Sequence, residues 1–467
     1  MINYIIKEII LLTIIYERLF IMEKFVQEAT IDNVLESIKQ NNFNRNKDIR
    51  DFIESLDMIT ENAFISLDAR WGEGKTYYVR QIEQTLKYLT RKKWNLPVNE
   101  LEEYFSDISI LNSIDLNYSY LPIYYNAWLY DNHDDPLMSL LLVMVKECQS
   151  YLDTKIDSTS VGEKMCSLLD AFTFSIKNIE LSINTKSIKE AISGKDILSS
   201  VKTAEQIREM VKSVFEGVIV ENAQKLVIFI DELDRCRPDF AIEMLERIKH
   251  YFDDDRIIFV ISINKEQLIH TVSKFYGINF DSTGYLNKFF DLNIYLPVID
   301  PYVQNRIYLN SNQVQYFVEK ISEELNSYYK LSLRDALIFK QHLMNLPVSY
   351  VNDYSGQGCV LSVFVPIIII LDIIDETEKT RFLRGESKTL LKDLFKNILA
   401  LQKVAYKFSI DGRESDEGFQ EGYMLFEEAY DYIFGTKQEE NFKGKLDLNR
   451  DIKQICIQIC NGFLKDK

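Results

Sequence analysis

"LDARWGEGKTYYV", residues 67–79, is the stretch on which the fold turns. Gly74, Lys75 and Thr76 fill the second half of the phosphate-loop pattern G-x-x-x-x-G-K-[ST], while its first glycine falls on Ala69. Just upstream, "AFISL" (63–67) is a short apolar run of strand character; downstream, "KTYYVRQIEQTLKYLTRKK" has helical periodicity. Strand, glycine-containing loop and helix form the setting a phosphate loop requires, because consecutive N–H groups at a helix N-terminus can then cradle a polyphosphate. Gly74 lets the backbone approach closely, Lys75 is expected to reach the β and γ phosphates, and Thr76 to place its hydroxyl on Mg2+. Arg70, Trp71, Gly72, Glu73 and Tyr77 complete the expected nucleotide-binding set. Alanine at position 69 costs little where φ is negative and more where it is positive, so the loop is expected to be competent.

Three further strands follow from the same reasoning. "YLPIYYNAWLY" (120–130) is apolar and β-prone, and "DDPLMSLLLVMVKECQ" after it opens a helix with Pro136 just inside an acidic cap. "KLVIFIDELDRC" (225–236) is an apolar strand ending in acids, "DFAIEMLERIKHYF" an amphipathic helix, and "RIIFVISIN" another strand. Strands separated by helices predict a parallel α/β sheet with right-handed crossovers. The carboxyl ends of such strands converge on one edge, so Asp231 should hold the metal together with Thr76, and Glu232 should orient and deprotonate an attacking water. Asn264 ends the next strand, where it would hold that water or sense the γ phosphate, and it would also cap the helix "KEQLIHTV". The same stretch mimics the guanine-reading N-K-x-D, but Gln267 replaces the carboxylate that accepts both guanine N–H bonds. ATP is therefore the expected nucleotide.

Bulk properties narrow the class. A chain of 467 residues implies two or three domains, and 46% apolar with 27% charged residues is ordinary globular composition. A net charge of -17 argues against broad nucleic-acid binding, and Arg91, Lys92 and Lys93 read as a solvated helix end. Six scattered cysteines fit a reducing compartment, with Cys456 and Cys460 on one apolar helix face read as core. The opening "MINYIIKEIILLTIIYERLFIMEK" carries Lys7, Glu8, Glu17 and Arg18 within its apolar run, so it reads as an amphipathic helix or as an upstream extension with the functional start at Met22. "GCVLSVFVPIIIIL" (358–371) is short for a membrane span and reads as a buried helix or strand. The expected organisation is an extension over 1–27, a P-loop core over 28–300 with a helical insertion at about 151–222, and a helical lid and C-terminal domain over 301–467. The expected location is the cytoplasm, with peripheral membrane attachment left open.

Four ordered motifs, "ARWGEGKT", "YYNAWLYDNHDDPLMSLL", "FIDELDRCRPDFAIEMLERIKHYF" and "TGYLNKFFDLNIYLP", resemble those of the KAP family of P-loop NTPases, relatives of the STAND and AAA+ ATPases. Trp71 matches the family's tryptophan before the second loop glycine, and Asn126 and Trp128 match its N-x-W segment. Asp231 to Cys236 match its acidic strand end, and Tyr285, Leu286 and Lys288 match its Y-L-x-K-[FI] segment. Two departures stand out: Ala69 replaces a glycine, and the stretch "WNLPVNELEEYFSDISILNSIDLNYSY", where many members carry transmembrane helices, is polar. The resemblance implies ATP hydrolysis coupled to assembly or to control of a protein partner, and some bacterial members resemble anti-phage factors. For positive charge at the transition state the candidates are Arg235, Arg237, Lys288 and Arg334, with Lys288 and Arg334 preferred.

Overall fold

A computed structural model describes residues 28–133, 135–152, 224–299, 316–344, 346, 355–409, 414–435, 442, 446–448 and 451–460. The N-terminal extension, and the expected insertion beyond Leu152, lie outside the described residues. The chain divides into two units, one running Glu28–Val298 and the other, among described residues, following Ile299.

The first unit is built on five strands: β1 (Ala63–Asp68), β2 (Tyr120–Asn126), β3 (Lys225–Asp231), β4 (Ile257–Ile263) and β5 (Leu292–Tyr295). Every pairing is parallel, in the spatial order β2-β3-β4-β1-β5. Strand side chains alternate between faces, and this sequence is apolar on both. Ile65, Leu67, Val227, Phe229, Ile258 and Val260 pack beneath α1 (Ile31–Lys39), α2 (Arg45–Asp57) and α3 (Lys75–Lys93). Phe64, Ile228, Ile230, Phe259 and Ile261 pack on the other face against α4 (Pro136–Leu152), α5 (Pro238–Tyr251), α6 (Lys265–Tyr276) and α7 (Ser282–Asn287). The result is a three-layer sandwich in which the middle strands β3 and β4 are buried throughout. Pro122 sits in β2, at one margin of the sheet, where a missing N–H costs no ladder bond.

Two elements depart from the expectation. The strand of 120–130 stops at Asn126, whose side chain accepts the Leu129 N–H at 3.3 Å and turns Ala127–Tyr130 into a 3-10 helix. The strand β5 was not expected: four residues including Asn293, mostly exposed and paired only with β1, carry neither an apolar run nor clean alternation. The polar stretch after the loop helix forms two short helices, Asn99–Phe105 and Ser109–Asn112. The basic cluster lies in the last turn of α3, where Arg91 donates to the Pro97 carbonyl at 3.0 Å and Lys92 to Asn112 Oδ1 at 3.0 Å.

The second unit is helical: α8 (Tyr316–Tyr329), α9 (Leu333–Met344), α10 (Gly356–Ile374), α11 (Glu376–Leu383), α12 (Lys388–Asn397), α13 (Leu399–Lys407), α14 (Asp416–Phe434) and α15 (Ile452–Cys460). Its centre is α10, capped by Ser355, which accepts the Gly358 N–H at 2.9 Å. By length and composition α10 could cross a membrane, yet 78% of its most apolar 18-residue window is buried. Gly422 allows α14 to cross α13, since a Cβ there would lie 1.9 Å from the Ala405 carbonyl oxygen. Cys456 is buried in the same core.

Candidate functional site

The loop between β1 and α3 has the backbone its sequence calls for. Gly72 and Gly74 take φ of +86° and +85°, the left-handed region where a side chain is strained. Gly74 is the N-cap of α3 and makes no side-chain capping bond, and the first turn carries no acid. The helix N-terminus therefore presents open N–H groups and the positive end of its dipole. Ala69 is not among the non-glycine residues with positive φ, and its N–H donates to the Ile263 carbonyl at 3.1 Å. Alanine thus fits this position without strain.

Lys75 is buried, and its ammonium donates to the carbonyls of Ala69 at 2.6 Å and Arg70 at 3.1 Å. Burial lowers its pKa, while Asp234, Asp231 and Asp68 pull the other way. The lysine is curled back on its own loop and surrounded by carboxylates, which is a place for a phosphate group to be exchanged in. Trp71 ties the loop to the acidic strand end: its indole N–H donates to Asp234 Oδ2 at 2.5 Å. Arg70 is exposed, Glu73 and Thr76 are half-buried, and the Tyr77 hydroxyl is engaged by the Glu28 carbonyl at 3.0 Å.

Sheet order brings the acids to the loop. β4 lies between β1 and β3, so the ends of the three strands form one edge, with Asn264 between the loop and Asp231. Asp231 is buried; it accepts the Tyr124 hydroxyl at 3.0 Å and the Glu232 N–H at 3.0 Å. Tyr124 in turn lies under the Arg80 guanidinium, 4.3 Å from its ring centroid, and Arg80 is salt-bridged to buried Glu83 at 2.6 Å. Glu232 adopts φ +61°, a left-handed turn that aims its carboxylate back toward β2. There Asn126 Nδ2 donates to Oε2 at 3.2 Å, and Arg235 pairs with Oε1 at 2.9 Å. Burial raises the Glu232 pKa above the ordinary glutamate range; Arg235 and the Asn126 hydrogen bond lower it, and Asp231 adds to the rise. Asn264 is buried and caps α6 by accepting the Gln267 N–H at 3.3 Å, while Lys265 N–H donates to Asp68 Oδ1 at 2.9 Å.

One of the two preferred cations is not brought to this edge. Lys288 is exposed and stands three residues before Asp291, which accepts the Phe64 N–H at 2.8 Å near the amino end of β1, opposite the loop. Arg334 is exposed in the first turn of α9, in the helical unit. Arg237 turns outward to the Asp131 carbonyl at 2.9 Å and to Asp239. The residues that sequence reasoning left out of the site are Asn126, Tyr124, Arg80 and Asp234. Asn126 had a signal in its place at the end of a strand that would lie beside the acidic one, and Asp234 in its place within the acidic motif Asp231 to Cys236.

The donor set fits Mg2+. Thr76 and Asp231 would supply oxygens, and among the described residues no group of three or more His, Cys, Asp or Glu could hold a metal alone. Mg2+ keeps several waters and leans on one or two carboxylates plus substrate phosphates, so it needs no closed protein cage.

Residues 45–346 match the KAP family P-loop domain. Over 173 residues the chain is also 26% identical to an uncharacterized protein of Methanocaldococcus jannaschii, a match that spans 30% of this chain and 89% of that one. The family match extends over more than half of the protein, which belongs to the KAP family of P-loop NTPases.

Proposed function

We propose that this protein is a Mg2+-dependent ATPase that couples its nucleotide state to assembly or to control of a protein partner. The observation that carries the reading is the common strand edge on which Lys75, Asp231 and Glu232 meet through the β3-β4-β1 order. Lys75 and the α3 N-terminus bind the β and γ phosphates. Thr76 and Asp231 hold Mg2+, which supplies charge neutralisation on the phosphate oxygens. Glu232 takes the proton of the attacking water, and Asn264 orients that water. Gln267, lacking a carboxylate, favours adenine over guanine.

A second reading, a nucleotide-gated scaffold with little turnover, is supported by the occupation of both Glu232 oxygens, one by Asn126 and one by Arg235. The two separate on one variant. Glu232→Gln should bind Mg-ATP as the native protein does and hydrolyse it about 10²–10⁴-fold more slowly, the usual contribution of a general base. Unchanged turnover in that variant defeats the ATPase reading and leaves the scaffold. Lys75→Ala should abolish nucleotide binding in calorimetry. Arg334 and Lys288 are proposed as cations supplied on closure or assembly, Lys288 to the nucleotide of a neighbouring copy. A cytoplasmic location agrees with the polar stretch that replaces transmembrane helices. The likeness to anti-phage factors makes defence the pathway to test first, by the genes that lie beside this one.

A further inference from the structure

The acidic strand end carries a cation that the ATPase reading leaves unused. Arg235 closes the 3-10 turn Leu233–Arg235 and folds back because Glu232 is left-handed, with the Arg235 N–H donating to the Glu232 carbonyl at 3.1 Å. Its guanidinium pairs with Glu232 Oε1 at 2.9 Å and lies 5.5 Å over the ring of Trp128, which is half exposed. We propose that Arg235 is a triphosphate-sensing catalytic residue: its guanidinium, paired with Glu232, transfers to the γ phosphate of bound ATP and frees Glu232 to act as base. The proposal rests on the ATPase reading above and gives that site a positive charge from its own strand edge, beside any supplied on closure or assembly.

Three observations favour Arg235 over the other cations near this edge. Lys75 is already assigned to the β and γ phosphates. Arg80 is locked between the buried carboxylate of Glu83 and the ring of Tyr124, and Arg237 is spent on Asp131 and Asp239. Arg70 is in the loop itself but exposed to solvent, where a charge contributes little. Arg235 is the described cation in contact with the base. A base that takes a proton from a water attacking the γ phosphorus has to stand beside that phosphorus, so a guanidinium touching the base is within a side-chain rotation of the γ oxygens. A phosphate group offers three oxygens and more charge than a carboxylate, and the planar guanidinium fork binds it through two parallel hydrogen bonds. The exchange is therefore favoured by ATP and not by ADP, which lacks the γ group.

The chemistry then balances without a further reagent. With Oε1 released and Asn126 still holding Oε2, Glu232 accepts a proton from water as its oxygen bonds to the γ phosphorus. The bond from phosphorus to the bridging oxygen breaks, leaving ADP and phosphate, and Arg235 neutralises charge on the γ oxygens through the transition state. While it is paired with Arg235, Glu232 is kept from acting on stray water.

The test uses the full chain with Trp71→Phe and Trp94→Phe, so that Trp128 is the reporting tryptophan, at saturating Mg2+ and nucleotide. ATPγS should change Trp128 emission as the guanidinium leaves the ring, and ADP should not. Arg235→Ala should abolish that change and lower affinity for ATPγS by about ten- to hundred-fold, the range for a charge-assisted contact. Its ADP affinity should stay that of the Trp71→Phe, Trp94→Phe parent, which also shows that the variant is folded. Arg235→Lys should recover little, because an ammonium cannot reproduce the fork. If Arg235→Ala keeps both the ATPγS-to-ADP preference and the emission change, Arg235 is merely structural and the proposal fails. A preference lost in Arg70→Ala but kept in Arg235→Ala moves the role to Arg70 and also overturns it. Absence of binding of either nucleotide to the native protein would instead sink the ATPase reading beneath it.

Discussion

The hydrogen bond between Trp71 and Asp234 joins two parts of the site 163 residues apart in sequence, and its contribution can be worked out. The loop residue donates through its indole N–H at 2.5 Å, and Asp234 is 7% exposed, so deleting the donor strands a buried carboxylate oxygen. A hydrogen bond to a charged group is worth about 1.5–3 kcal/mol. Trp71 is 46% exposed, so water can replace part of the lost contact, which places the expected value near the lower end, at about 1.5 kcal/mol. A loop that is no longer pinned must be ordered by the nucleotide itself, so the loss should appear as weaker binding of about tenfold. Trp71→Phe keeps the ring and removes the donor. Asp234→Asn removes a negative charge facing Lys75, which by itself favours phosphate, so its single effect mixes two opposing causes. A double-mutant cycle on the Mg-ATP dissociation constant, measured by calorimetry, cancels that electrostatic part. It should leave a coupling of about 1–2 kcal/mol. Additivity of the two substitutions within about 0.5 kcal/mol would refute the idea that this bond preorganises the loop.

Two further outcomes follow from the same geometry. Ala69→Gly should leave nucleotide affinity within about threefold, because φ is not positive there, and should cost about 0.4–1 kcal/mol of stability through the freer unfolded chain; a large gain of activity would mean that alanine had crippled the loop. Burial raises the Glu232 pKa, so turnover should fall on acidification at a higher pH than an ordinary glutamate would impose. Asn126→Ala removes a hydrogen bond that favours the charged form and should move that limb further up; a limb that stays put in a pH–rate profile would separate Asn126 from the base.

How far the fold could be read depended on how each element is stabilised. β1, β3 and β4 announce themselves because strands buried on both faces are continuous apolar runs, and the intervening helices imply parallel connections. β5 escapes for the opposite reason: it is an edge strand whose pairing with β1 is made by backbone, and its exposed Leu292 and Tyr295 leave no pattern. The strand end at Asn126 depends on one capping hydrogen bond, which composition does not reveal. α10 could be placed as buried, but helix and strand stayed open because a uniformly apolar run has no period to measure.

The site shows the same division in sharper form. Lys75, Thr76, Asp231 and Glu232 could be named because backbone geometry at a loop and at strand ends dictates which residue types can stand there. What those side chains touch could not be read, since Asn126, Arg235 and Glu232 meet only through a left-handed residue after β3 and the register Asn126↔Asp231. Arg235 and Arg237 illustrate the limit: they are two residues apart and chemically identical, yet one pairs with Glu232 and the other with the Asp131 carbonyl. In the turn Leu233–Arg235 the chain folds back on Glu232, and at Cys236 it turns extended, so Arg237 is carried to the outer surface. A positive φ at Glu232 is costly for a side chain of that size. The fold tolerates it in a turn that brings the Arg235 guanidinium onto the Glu232 carboxylate, so the strain is confined to the strand end and lies outside the ladder of the sheet.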